Sequence, residues 1–503
     1  MPRPATKLHD QFILQREANA ADPDGWPSHD IGGWRLAAHP NLPVTPLVTS
    51  DGAKAGWLLG YAISAGNGQV TGEARLPFAS RDAGSDAFES WLYAHGGRFA
   101  AVLLIGGLAR FYLDPCGSLS AVYATDPPRL ASTNSAMHLA TLEEYARRKA
   151  AEPVLLPNQF HPAGLTSDPD VRRLLPNHYL DLERWAPVRH WPARPIERSD
   201  QDGIPALVRE IVEPVRANIE GITGALPGYL GLTAGRDSRM VLACARGALD
   251  RIRFVTFIYE DEQRKPDIHT ARRIARRFGL AHVGVPLTEP DEQQKQEYLL
   301  RTGFAGHWGK SRDFDLACRR HLEMDRAWIT GFGGEVGRAF YWREGDAPNR
   351  PPTPEALVER LNLPRDQATL EAWRRWQAEA PHQDSFDLLD LAYIEQRMGC
   401  WAGPHMYGAA PFGANLSAFS HRRAFVAMMS LPAMFRRRQG LADAVIAEAW
   451  PELASLPYQQ FTGLRLLGEQ ARQRARAGTG ALVQAVRRNG GRFLRAIGAK
   501  RPR

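Results

Sequence analysis

The sequence predicts an α/β protein in two parts: a β-rich α+β part, then a doubly wound parallel sheet that passes into a helical C-terminal stretch. Three observations lead there. Before residue 185, short runs rich in β-branched and aromatic residues are bounded by turn residues. From Gly228 onward, apolar strands alternate with helical patterns, and that rhythm implies parallel pairing with helices on both faces. Beyond Pro351 the pattern turns helical. Between the two parts, Pro187, Pro192, Pro195 and Pro205 punctuate a weakly periodic stretch. Prolines at that density resist helix and sheet, so a linker is expected over 191–205. It separates 1–190 from 206–465, and a basic tail follows over 466–503.

Taken in order, strands are expected over 56–63 and 98–105, with shorter ones over 110–113 and 120–123 around the turn Asp114-Pro115-Cys116-Gly117. A helix over 85–95 has Ser85 as its N-cap and Gly96-Gly97 as its stop, and another covers 135–148. In the second part, a strand over 228–232 runs into a glycine-containing turn and a helix over 239–246. A strand over 253–258, a basic amphipathic helix over 268–278 and a strand over 282–285 come next. A strand over 328–330 then enters a glycine-rich turn. Helices over 354–361, 367–378, 386–398, 422–430 and 442–450 complete the part, followed by the tail.

Composition narrows the class. The 503 residues are 44% hydrophobic and 23% charged, which suits several globular domains rather than a disordered chain. Residues 1–15 are mixed and polar, unlike a secretory leader, and the longest apolar run, 100–109, is half the ~20 residues a membrane helix needs. A cytoplasmic protein is expected. Cys116, Cys244, Cys318 and Cys400 are scattered singly, without the spacing of a zinc site or a disulfide framework. The net charge of +8 is local: residues 465–503 hold eleven Lys or Arg against Glu469, or +10, which leaves −2 for the rest. No nucleic-acid partner is therefore expected for the body. The tail is a candidate contact for an anionic partner, a solvated helix with a frayed end being the plainer reading.

The chemistry is concentrated in Leu232-Thr233-Ala234-Gly235-Arg236-Asp237-Ser238, where a strand turns into a helix through small residues. Small residues let the backbone approach an anion, and amides at a helix start point toward it. Thr233 and Ser238 add hydroxyls, and Asp237 offers a carboxylate for Mg²⁺. An ordinary capped helix after a tight turn is the plain alternative. These residues resemble the Ser-Gly-Gly-x-Asp-Ser signature of the asparagine synthetase family, with Thr233 and Ala234 replacing the first Ser and Gly. The resemblance extends through Val255-Thr256-Phe257, the helix around Asp267, and Gly279-Leu280-Ala281-His282. It reaches a second block, Thr330-Gly331-Phe332-Gly333-Gly334-Glu335, similar to the family's pyrophosphate loop. It implies that Gly331, Gly333 and Gly334 join the first loop in holding ATP, and that Asp237 and Glu335 share Mg²⁺. A carboxylate would then be activated as an acyl-adenylate and opened by an amine, so a small-molecule or peptide substrate is expected.

Departures from the family pattern are specific. Phe332 stands where relatives carry a catalytic Glu or Tyr, and Leu456-Pro457 is followed by no lysine. Arg465 is the nearest replacement cation, and Glu395 is the candidate for the missing acid–base group. Tyr393, Glu395 and Arg397 alternate along one expected helix, so they do not share a face. The first part, through Gly97-Arg98-Phe99, Tyr112-Leu113-Asp114 and Leu175-Pro176-Asn177-His178, resembles a class II glutamine amidotransferase domain (Ntn-type). Pro2 stands where that domain needs its cysteine nucleophile. The resemblance therefore implies a ligase without glutaminase activity, as in β-lactam synthetase and lasso-peptide cyclases. The alternative is a non-catalytic nucleotide-binding or scaffolding relative.

Overall fold

In the computed structural model of the chain, residues 8–456 are described apart from 17–22, 24, 67, 260–264, 311–316 and 409–411. They form a mixed α/β structure with three sheets, two of them in the first part. One is antiparallel and six-stranded, with Phe12–Arg16 between Pro128–Ala131 and Trp34–Ala38. The other is eight-stranded and mixed. Its long central pair is Lys54–Ser64 with His95–Ile105, and Val44–Val48 runs parallel to Ala74–Arg75.

Alternation along the strands stacks the two sheets. Phe12, Leu14 and Leu36 share a core with Trp57, Leu59, Ala100 and Val102. The intervening Leu58, Phe99, Ala101 and Leu103 face outward onto Phe88 and Leu92 of the helix Ser85–Tyr93. On the far side, Ile13 and Ala37 meet Ala136, Met137 and Leu142 of the helices Asn134–Met137 and Leu142–Ala150. The order of layers is helix, sheet, sheet, helix.

Some expectations change. Ser85 is the first helical residue and Gly84 the cap. Gly96 and Gly97 lie inside a strand rather than ending the helix; at Gly97 (φ +110°) a Cβ would stand 2.1 Å from the Tyr61 carbonyl of the next strand. The helix expected over 135–148 is two helices separated by the turn Leu139–Thr141. The proline-rich seam begins as a strand, Ala186–Arg189, at the sheet's edge, where a residue without an N–H is tolerated. The linker ends in the 22-residue helix Ile204–Ala225, with Pro205 in its first turn, where the missing N–H costs nothing.

The third sheet has five parallel strands in the order His282–Pro286, Ile252–Ile258, Gly228–Gly231, Ala327–Thr330, Ala414–Ser417. Counted along the chain, that order is 3-2-1-4-5. Leu230, Ile252, Phe254 and Ile329 face a large core formed with the helices Ile204–Ala225, Arg236–Cys244 and Lys265–Phe278. Tyr229, Val255, Val285 and Trp328 face the other way, onto Ala317, Cys318 and Leu322. The fifth strand falls where only helices were expected. Its Asn415 and Ser417 are polar yet buried, which breaks the apolar pattern of a central strand. The helix expected over 386–398 is α-helical only over Ser385–Leu391, then a π-helix over Ala392–Ala402, then α-helical again over Gly403–Gly408.

The two parts are joined by buried hydrogen bonds. Ser420 Oγ donates to the Gly97 carbonyl at 2.6 Å. Within the second part, Asn218 Nδ2 holds that segment by donating to the Ala418 and Ser420 carbonyls at 3.0 and 3.1 Å. Arg422 donates to Asn177 Oδ1 at 2.5 Å.

Candidate functional site

In a 3-2-1-4-5 sheet the winding direction reverses between strands one and four. The loops leaving their carboxyl ends diverge there and open a crevice, the usual ligand position in open parallel sheets. The two glycine-bearing loops leave Gly228–Gly231 and Ala327–Thr330, so the fold brings them together at that reversal. They touch: a Cβ on Gly331 would lie 3.0 Å from Val241 and 3.6 Å from the Asp237 carbonyl, and one on Gly334 would lie 3.3 Å from Met240.

The first loop is internally tied. Leu232 is buried and contributes only backbone, its N–H donating to the Val255 carbonyl at 2.8 Å. Thr256 Oγ1 donates to the Leu232 carbonyl at 2.5 Å and lies 2.8 Å from His282 Nε2, so the imidazole presents its N–H on that nitrogen. Burial first, and Arg272 second, hold His282 below its ordinary pKa, which suits a neutral ring. The Thr233 and Ser238 hydroxyls lie 3.0 Å apart, and Gly235 N–H donates to Thr233 Oγ1 at 3.1 Å. Ala234 N–H donates to Asp267 Oδ1 at 2.9 Å, so a carboxylate sits on one of the amides expected to meet phosphate. Arg236 lines the crevice and pairs with Asp443 at 3.1 Å.

The second loop carries the opposing acid. Gly333 (φ +103°) makes the left-handed turn into the 3₁₀ turn Gly334–Arg338. Glu335 Oε2 folds back to accept from Gly333 N–H at 2.9 Å. Ser417, ending the fifth strand, donates to the Phe332 carbonyl and fixes the loop from behind. Tyr393 lies near enough to act on the Glu335 carboxyl, and its ring lies 6.0 Å from that of Phe332. Burial, and then Asp237, hold the Glu335 carboxyl above its ordinary range against the pull of its own N–H, Arg338 and Tyr393. Between the acids stands Arg338, its Nη2 3.1 Å from Asp237 Oδ2 and 3.9 Å from Glu335 Oε1. The crevice encloses about 10 Å³ among Asp237, Met240, Gly334, Gly337, Arg338 and Leu441. That is room for about one water molecule.

Asp237 and Glu335 offer the oxygen ligands that Mg²⁺ takes. Among the described residues, no cluster of three or more acids, histidines or cysteines is placed to hold a metal. The pair can accept a divalent ion only with Arg338 turned aside. Glu395 sits in a buried polar network: its carboxylate accepts from Asn177 Nδ2 at 2.8 Å, Trp376 Nε1 at 2.6 Å and both terminal nitrogens of Arg189. None of those partners lies on either loop. Burial alone would raise its pKa, and Arg189 overrides that to hold it below the usual range. Arg397 stacks over Trp401 at 3.6 Å. Arg465 and the tail lie outside the described residues. A larger cleft, about 610 Å³, opens between Arg198, Trp342, Asp346, Asp384, Phe386 and Met434, and no residue of either loop lines it.

Sequence reasoning passed over Arg338, Asp267 as a loop anchor, and the contact of Tyr393 with Glu335. Arg338 had a signal: it follows Glu335 by three residues, the spacing that pairs charges on one helical turn. Comparison with known protein families matches no family model to this chain, and comparison with curated proteins finds no match.

Proposed function

We propose that the chain is an ATP- and Mg²⁺-dependent ligase of the asparagine synthetase type that adenylates a carboxylate, releases pyrophosphate and passes the acyl group to an amine. One observation carries the reading: two glycine-bearing loops, each with one carboxylate, leave adjacent parallel strands at the winding reversal. On this reading the first part is an amidotransferase-like domain of the Ntn type without glutaminase chemistry, and the second is an ATP-pyrophosphatase domain. Thr233, Gly235 and Ser238 line the phosphate path, with Gly331, Gly333 and Gly334 opposite. Mg²⁺, held by Asp237 and Glu335, would supply charge neutralisation at the phosphates. The protein's share is positioning and electrostatic stabilisation. Tyr393, whose ring packs beside Phe332 and which acts on the Glu335 carboxyl, is the side chain we assign to the acid–base position that relatives fill with Glu or Tyr.

A second reading, a nucleotide-binding or scaffolding relative without turnover, is favoured by the closed crevice, by Asp267 on the Ala234 amide and by Phe332. Calorimetry with a non-hydrolysable ATP analogue and Mg²⁺ tests the shared premise. Saturable binding that Asp237→Ala weakens at least tenfold supports it, whereas no binding by the wild type removes the ligase reading and leaves a scaffold. Release of AMP and pyrophosphate in the presence of a carboxylate and an amine then separates ligase from scaffold.

A further inference from the structure

We propose that Arg338 is a resident cation that competes with the divalent ion for Asp237 and Glu335, and that phosphate draws it off, so that the metal enters only together with its nucleotide. The phosphate half of this rests on the nucleotide reading above; the competition does not. The guanidinium reaches both carboxylates, at 3.1 and 3.9 Å, from a single nitrogen. An arginine stays charged at any accessible pH, so it leaves this position by movement rather than by deprotonation. A hard divalent ion demands close contact with the same oxygens. Ion and guanidinium then repel at short range, and the two occupancies exclude each other.

The side chain is poised rather than fully used. Its Nε is buried without a hydrogen-bond partner among the described residues, and its guanidinium rests 4.9 Å from the centre of the Phe340 ring. The guanidinium is thus tied through Nη2, which donates to Asp237, and rests against a ring, while Nε stays unused. A phosphate oxygen pair offers it the planar, two-pronged match that the present contacts lack. Departure toward phosphate would leave Asp237 and Glu335 facing each other uncompensated, which is the state that takes a metal ion.

The test uses the full chain, with Mn²⁺ as the probe, followed by calorimetry and by the electron paramagnetic resonance of free Mn²⁺. Without nucleotide, wild type takes up little Mn²⁺ below millimolar concentration. Arg338→Ala and Arg338→Gln bind it at least tenfold more tightly, and adding Asp237→Asn abolishes the gain. Two folded variants that bind Mn²⁺ no better than wild type overturn the competition; circular dichroism and elution volume establish that they are folded. In the second arm, the metal-free ATP analogue binds Arg338→Ala at least tenfold more weakly than wild type. Equal affinity overturns the phosphate half. A wild type that binds no nucleotide, alongside variants that gain Mn²⁺, sinks the ligase reading while the competition stands.

Discussion

Glu395 shows how neighbours can engage a side chain of the right chemistry. Its carboxylate is fully buried, and Arg189, Trp376 and Asn177 donate to it. Removing one member of such a pair strands the other charge in a low-dielectric setting, at a cost of about 3–5 kcal/mol. Glu395→Ala is therefore expected to lower the urea midpoint sharply while leaving the ATP-analogue affinity of the folded fraction unchanged. A stable variant that binds nucleotide yet loses turnover would return Glu395 to the catalytic list. Asp237 and Glu335 are the contrasting case, because the sequence pointed to both and the fold brings them to one guanidinium. Local spacing announced each acid separately. Spacing also hinted that Arg338 pairs with Glu335, but not that it reaches Asp237, which depends on the tertiary approach of the two loops.

At the scale of elements, the strands Gly228–Gly231, Ile252–Ile258 and Ala327–Thr330 were legible because burial on both faces demands an unbroken apolar run. Ala414–Ser417 was not, because two of its four residues are polar: Asn415 Nδ2 donates to the Met406 carbonyl and Ser417 Oγ to that of Phe332. The helix Ile204–Ala225 was hidden by Pro205 and Pro214, the second of which lies inside it. The π-helix Ala392–Ala402 leaves no mark in a 3.6-residue pattern, and such insertions collect at functional positions. It carries both Tyr393 and Glu395, one aimed at the second loop and the other at the first part of the chain. The second loop itself depends on Gly333, at φ +103°, where a Cβ would meet Met398 at 2.9 Å. Backbone strain of about 1–3 kcal/mol is expected for Gly333→Ala. The loop should relieve it by shifting, so the variant is expected to melt lower and bind the ATP analogue several-fold more weakly. Unchanged binding would place the nucleotide elsewhere.

For the whole molecule, the layered first part and the parallel sheet share one boundary, and His421 sits in it, bridged to Gly96. Burial is the main cause that pushes its imidazole down to about 4, and Arg423, His95 and Arg422 add to the effect, while a backbone hydrogen bond to Ala94 opposes it. The folded ring stays neutral where the unfolded one, at its ordinary value of about 6.5, takes a proton. Unfolding therefore binds a proton between those two values, and stability falls as pH drops through that window, by about 1.4 kcal/mol per unit for one full proton. His421→Asn replaces the Nδ1 acceptor at the N-cap of the helix Arg422–Ser430 with an amide oxygen and removes the titration. Urea unfolding between pH 4 and 6.5 should be one proton flatter in this variant; an identical pH slope would place the titration elsewhere. The same boundary bears on inheritance. Arg189 and Asn177 come from one side of the seam, and the Glu395 and Arg422 they serve come from the other. A recombination event that swapped in a foreign first part would carry off both partners and leave two opposite charges buried without them. Lineages that shuffle these halves must therefore move the four residues as a set, which binds the history of the first part to that of the sheet beside it.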